Sequence, residues 1–247
     1  MTQQGLLKAS GVVLARSQMG EGGLWLTLFL KGQGLLRASA PGAERGRVRF
    51  GGGTEPFVWG AFHLHRGRGG GLYLSGVDVA DDMLPLRRRP EALLVAVGWS
   101  KLLTRRLMPG HPDDGLLANL YWNMRLLCVP HVPPEAAEWR FLWRWLAEWG
   151  LAPDMGRCLR CGRGLILPDA PPDQRAAWTG EGLVCSACDA DAQGALPSFT
   201  GGGLSLLLRV GGSDTEALAR AFQAGRGGAS PFALAARCAA GVLGNEK

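Results

Sequence analysis

The sequence lacks the features that would make it a membrane protein, a secreted mini-protein or a familiar kind of enzyme. Its longest apolar run, ALLVAVGW, falls far short of the roughly 20 residues needed to span a bilayer. The start, MTQQGLLKASGVVLAR, has no basic region followed by a sustained apolar run, so no secretory leader is expected. There is no GxxxxGK[ST] phosphate loop, no GxSxG and no HExxH. Histidine is scarce at four and tyrosine scarcer at two. Cysteine is limited to six, in a chain of 247 residues that can bury a core without covalent staples. A cytosolic protein is expected, and paired cysteines in a reducing compartment read as metal or redox sites before disulfides.

Positive charge is present, and it is unevenly placed. The net charge is +6. Residues 1–90 hold 12 of the 27 Lys and Arg but only 6 of the 21 Asp and Glu, and the remaining 15 and 15 cancel. Excess confined to one region points to a polyanionic partner at that region, with nucleic acid first.

The hydrophobic period also changes along the chain. Residues 1–81 read as five short strands: GVVLARSQM, LWLTLFLKG, LLRASAPG, PFVWGAFHLHR and GLYLSGVDV, separated by Gly-rich turns. Strands at this spacing suggest a small closed sheet. The irregular stretch from Pro41 to Glu55 is long for a connection, and such loops are often functional. The hinge is expected in DVADDMLPLRRRP, and residues 82–247 read as a helical domain. RPEALLVAVGWSKLLTRRL, DDGLLANLYWNMRLLCV and PPEAAEWRFLWRWLAEWG show helical spacing, the third with a stripe of Trp139, Leu142, Trp143, Leu146 and Trp149 ended by Gly150. Two more helices follow: SDTEALARAFQAG, with Ser213 and Glu216 as a capping box, and SPFALAARCAAGVLG, with Ser230 as cap and Pro231 in the first turn. The whole reads as an α+β multidomain chain.

Between the third helix and these last two lies a cysteine knuckle, residues 157–190. Cys158-x-x-Cys161 and Cys185-x-x-Cys188 are separated by 23 residues, and PDAPPDQRAAWTGEG between them reads as a turn-rich excursion. Gly162 and Gly182 suit tight turns. Two CxxC pairs supply four corners of a tetrahedron, the set Zn²⁺ favours. Four sulfur ligands leave no open position, so one structural zinc per chain is expected, pinning a loop. Cys128 and Cys238 read as plain core residues on helix faces.

No catalytic constellation emerges. His63 and His65 in FHLHR share one strand face, with Phe62 and Leu64 on the other, and without a nearby carboxylate cluster they read as solvated or phosphate-facing. Asp78, Asp81 and Asp82 read as helix caps or counter-charges to Arg87, Arg88 and Arg89. The candidate DNA-binding cations are Lys8, Arg16, Lys31, Arg37, Arg45, Arg47, Arg49, Arg66, Arg68, Arg87, Arg88 and Arg89. Arg45, Arg47 and Arg49 alternate, so an extended segment would point all three one way. Trp25, Phe29, Phe50, Phe57, Trp59, Phe62 and Tyr73 are available aromatics. Most must fill so small a barrel, and one or two at its surface would suffice for base stacking.

The order of these parts resembles the RecO family of DNA-repair recombination mediators. GVVLARSQMGEGGLWLTLFLKGQGLLRASAPGAER is similar to that family's opening, EPF at Glu55 to Phe57 also fits, and GLAPDMGRCLRCG, GEGLVCSAC and LPSFTGGGLSLL resemble its first cysteine pair, second pair and following helix start. The resemblance covers almost the whole chain. It implies an OB-fold barrel that binds single- and double-stranded DNA without catalysis. It further implies annealing of complementary strands, and help in loading the RecA recombinase onto strands coated by single-strand-binding protein, with RecR as partner. Read from the residues alone, two alternatives stay open. One is a nucleic-acid-processing enzyme with an accessory zinc knuckle. The other is an adaptor whose Trp-rich helix grips protein.

Overall fold

In a computed structural model of the chain, the described residues are 5–20, 22–43, 50–166, 175–189, 196–225 and 231–244. They group into two compact units, Met1–Tyr121 and Trp122–Lys247.

The first unit is built on five strands, β1 (Leu6–Met19), β2 (Gly23–Leu30), β3 (Gly34–Ala40), β4 (Trp59–Arg66) and β5 (Leu72–Asp81), closed into a barrel in the order β1-β2-β3-β5-β4. All pairs are antiparallel except β3 with β5, which run parallel. This five-stranded closure is the OB topology. Alternation does the work: Leu24, Leu26, Leu28 and Leu30 on β2 point inward with Val13, Phe62, Leu64 and Leu74, and Phe50 plugs the same core. β1 pairs with β4 along its first half and with β2 along its second, so it must bend near Gly11. A Cβ at Gly11 would stand 2.1 Å from the Phe29 carbonyl oxygen, and only glycine admits that corner. A bulge at Leu14 turns its carbonyl outward to accept the Ser100 hydroxyl at 2.8 Å, tying α2 (Pro90–Arg106) to the barrel. Asp81 and Asp82 accept from the backbone N–H of Met83 and Leu84 two residues on, shaping the turn into the one-turn α1 (Leu84–Arg87), whose N-cap position is Met83 rather than either aspartate.

The boundary between the units falls inside α3 (Asp114–Leu127). In the second unit α4 (Pro134–Glu148) is central and packs on α7 (Phe232–Gly244) and on α5 (Gly201–Gly212). Its burial is broader than the expected stripe. Phe141 and Trp145 are fully buried beside Trp139, Leu142 and Leu146, whereas Trp143 and Trp149 are half-covered. A helix covered on more than one side cannot show a single amphipathic face.

Two features differ from the sequence reading, and a third is borne out where only the family resemblance marked it. Residues 201–212, the helix start that LPSFTGGGLSLL resembles, form a helix despite five glycines, because Thr200 caps Gly203 N–H and Leu204, Leu207 and Val210 fall on one buried face. The cap of α6 (Thr215–Gln223) is Asp214, not Ser213; the Ser213 hydroxyl instead donates to Arg209 O and closes α5. A three-stranded sheet, β7-β6-β8, built from β6 (Arg175–Trp178), β7 (Leu183–Cys185) and β8 (Ser198–Thr200), supports the knuckle where only turns were expected. Ser230 lies outside the described residues.

Candidate metal centre and nucleic-acid interface

The knuckle begins where Met155 and Leu165 fix its base. Leu165 N–H donates to Gly156 O, and Leu159 N–H donates to Leu183 O, so the first CxxC turn is laced to β7. Gly162 takes φ +72° to close that turn, while the left-handed residue between β6 and β7 is Gly180 rather than Gly182. The second CxxC follows the end of β7 directly, with Cys188 N–H returning to Cys185 O.

These turns bring the sulfurs of Cys158, Cys161, Cys185 and Cys188 within 4.8 Å of one another. Cys161 Sγ and Cys185 Sγ are 3.8 Å apart. A tetrahedral ion with metal–sulfur bonds of about 2.3 Å has sulfur–sulfur edges of about 3.8 Å, so the set fits one ion. Electrostatics agree. Burial disfavours the Cys158 thiolate, but N–H groups of Cys185, Cys161 and Arg160 outweigh it and draw the thiol down to about 6. Cys188 is pushed up to about 12, chiefly by its contacts with the Cys161 and Cys185 thiols. Four adjacent sulfurs cannot all ionise unaided, and a bound dication would supply the counter-charge. Arg160 folds over the site and donates to Cys188 O. Cys128 sits just past α3 and Cys238 on α7, both half-buried and away from this set.

The described candidate DNA-binding cations are in three states. Lys8 Nζ meets Asp78 Oδ2 at 3.1 Å, and His63 Nε2 lies 2.8 Å from the same oxygen. Asp78 therefore sits on the barrel wall as their counter-charge, rather than facing Arg87, Arg88 and Arg89. Arg16 pairs with Glu55 at 2.6 Å, and Arg89 lies 3.5 Å from Glu91. Arg37 lies over the Trp25 ring, 4.4 Å from its centroid. Arg66 donates to Gly70 O and Arg87 to Pro56 O, both guanidinium groups still exposed. Lys31, Arg68 and Arg88 are exposed, and their side chains engage no partner among the described residues. Arg45, Arg47 and Arg49 lie outside the described residues. Pairing of Lys8 with a residue 70 positions away is invisible to any local reading.

The aromatics separate as sharply. Phe29, Phe50, Phe57, Trp59 and Phe62 are buried, Trp25 is half-covered, and Tyr73 is exposed.

In the second unit two arginines turn inward, which the sequence reading missed. Arg140 donates through NH1 to Asn123 Oδ1 at 2.8 Å and through Nε to Ser213 O at 3.0 Å. Arg144 donates to the carbonyls of Gly211, Gly212 and Ser213. Together they hold the end of α5, where the last carbonyls have no helical partner. Burial, with Arg144 adding to it, brings Arg140 down to about 10, so it stays charged at neutral pH.

Fold and site together define a class: a protein joining a small OB-type barrel with a cationic surface to a helical body that carries a four-cysteine cluster able to hold a metal ion. The family descriptions narrow it. Residues 1–81 match the family model "Recombination protein O N terminal" and residues 87–226 match "Recombination protein O C terminal". The chain belongs to the RecO family. It is similar to the DNA repair protein RecO of Anaeromyxobacter sp. (strain K), 32% identical over 83% of this chain and 78% of that one. It is 29% identical to that of Thermobifida fusca, covering 74% and 73% of the two chains, and 25% identical to that of Acetivibrio thermocellus, covering 81% and 77%. Among the described residues no helix is long and apolar enough to cross a membrane.

Proposed function

We propose that this chain is a non-catalytic DNA-binding recombination mediator acting in the cytoplasm at the nucleoid. It binds single- and double-stranded DNA through residues 1–81 and anneals complementary strands. With RecR, it helps load RecA onto strands coated by single-strand-binding protein. The observation that carries the reading is the concentration of the whole net charge of +6 in residues 1–90, around an OB barrel, in a chain whose relatives are named DNA repair proteins. A cationic surface lowers the repulsion between two phosphate backbones, and this is what strand pairing requires. The helical domain, residues 82–247, carries the knuckle of residues 157–190. There Cys158, Cys161, Cys185 and Cys188 bind one zinc ion that is structural, since four sulfurs leave no position for water.

Fluorescence anisotropy with labelled single- and double-stranded oligonucleotides across a salt series tests the reading. Binding should weaken with a log–log slope of about −0.7 per phosphate contact on single strands. Replacing Arg45, Arg47 and Arg49 together should flatten the slope by up to about 2 and weaken all sequences alike. Salt-insensitive binding would sink the proposal. So would strand cleavage that survives repurification and is abolished by one Asp or Glu substitution.

A further inference from the structure

The barrel carries one aromatic pair that its core does not use. His65 on β4 and Tyr73 on β5 stand directly opposite each other, their rings stacked with centroids 5.2 Å apart and planes 16° apart. Both point away from the core, since their neighbours Leu64 and Leu74 are fully buried. Tyr73 is 38% exposed, and Leu6, which pairs with His65 from β1, is 74% exposed. A strip of apolar and aromatic surface thus crosses three strands at one edge of the barrel.

The turn beside this strip keeps it open. Residues 67 and 71 are glycines, and a Cβ at Gly67 would come within 2.6 Å of Tyr73 Cε2. Any larger residue there would displace the ring. The turn beside the strip carries charge of one sign: between Ala61 and Val77 the chain has Arg66 and Arg68 and no acidic residue, and Asp78 beyond it is matched by Lys8 and His63. Arg66 is held by Gly70 O, and Arg68 extends from the turn without a partner among the described residues. Trp25, the other ring among the described barrel-strand Trp, Tyr and Phe residues that is not buried, already has Arg37 over it.

We propose that Tyr73, backed by His65, is a stacking platform for an unpaired base of single-stranded DNA whose phosphates run past Arg66 and Arg68. This rests on the DNA-binding reading above and adds the residue that meets a base. Base faces are available only in unpaired strands, and each offers the same π surface, so the platform favours single strands without reading sequence. The cationic groups next to it suit a polyanion and disfavour an uncharged apolar peptide as occupant.

The test uses the full chain and three labelled probes: oligo-dT, an abasic strand of the same length, and a duplex. The abasic strand keeps the phosphates and removes the bases. The parent should prefer oligo-dT over the abasic strand by on the order of tenfold. Tyr73→Ala should abolish that preference while leaving the abasic affinity and the salt slope unchanged, and Tyr73→Phe should retain it. Gly67→Ala should reduce it without altering charge. Equal parental affinity for the two strands, or a preference that survives in Tyr73→Ala, overturns the platform but leaves salt-sensitive DNA binding standing. If Tyr73→Ala weakens all three probes alike and lowers the melting temperature, the pair is only a cross-strand brace and the proposal fails. If the parent binds no probe, the DNA-binding reading falls too.

Discussion

Two arginines of the second unit, Arg140 and Arg144, do work opposite to that of the arginines around the barrel. Around the barrel the guanidinium groups lie on the surface, some engaged and some not; Arg16 is matched by Glu55, and Arg68 reaches into solvent. In the second unit Arg140 is 2% exposed and, with Arg144, is spent on the loose carbonyls at the end of α5. A charge count treats these side chains as equal. The structure separates cations that can meet a partner from cations that hold the fold, and only the first kind can produce a salt-dependent affinity.

The contrast can be broken most forcefully at the four-cysteine cluster. Cys185→Ser should lower the melting temperature by about 10 °C, because binding free energy at a structural site is folding free energy. Salt-sensitive DNA binding should persist. Calorimetry and elemental analysis check this; metal-free parental protein with four reactive thiols would remove its basis. Next in size, Arg140→Leu should cost about 3 kcal/mol in urea unfolding, since Asn123 Oδ1 and Ser213 O lose their donor in a buried place. Arg140→Lys should not restore it, because an ammonium cannot reproduce the fork. Arg68→Ala should leave stability within about 0.5 kcal/mol and act on affinity instead.

A smaller effect is expected at Asp78. Asp78→Asn releases Lys8 and His63 from their shared carboxylate, so single-strand affinity should rise about twofold, with a steeper salt slope. Unchanged affinity would take that face off the DNA path. The smallest is a pH effect. A hydrogen bond with His63 first, and one from Lys8 second, hold Asp78 below its ordinary value. A depressed carboxylate stabilises the fold fully above that ordinary value of about 4, and the contribution goes as pH falls through the lowered one. A carboxyl NMR titration should therefore give a midpoint below about 4 in the parent and closer to it in His63→Ala.

The barrel and α2–α4 were legible because each is long enough to show its period: alternation along LWLTLFLKG, helical spacing through RPEALLVAVGWSKLLTRRL. The four cysteines were legible because spacing alone brings CxxC sulfurs together. What stayed hidden had no local signal. Residues 201–212 were marked as a helix start by the family resemblance alone, because their five glycines each cost about 1 kcal/mol in a helix and only tertiary burial of Leu204, Leu207 and Val210 overrides that. Strands of three or four residues, as in β6, β7 and β8, are too short to alternate visibly. Arg140 sits among tryptophans, where nothing local distinguishes an inward arginine from a snorkelling one, and its acceptors come from distant segments. The cations were identifiable by type, but their engagement depends on partners such as Asp78 that only the fold supplies.

The parallel seam of the barrel has a mechanical consequence. β3 and β5 meet only at Ala38 with Leu72 and Ser39 with Tyr73, whereas every other strand pair runs nearly the length of its shorter member. The Ser39 hydroxyl adds one stitch, to Leu72 O. Under thermal agitation a cylinder splits along its shortest weld, so amide hydrogens flanking this join should exchange soonest among the barrel strands. Tyr73 is one of the four residues in the weld, and a strand of DNA gripping its ring would clamp the cylinder shut. Slower exchange along β3 and β5 would then report occupancy from inside the wall.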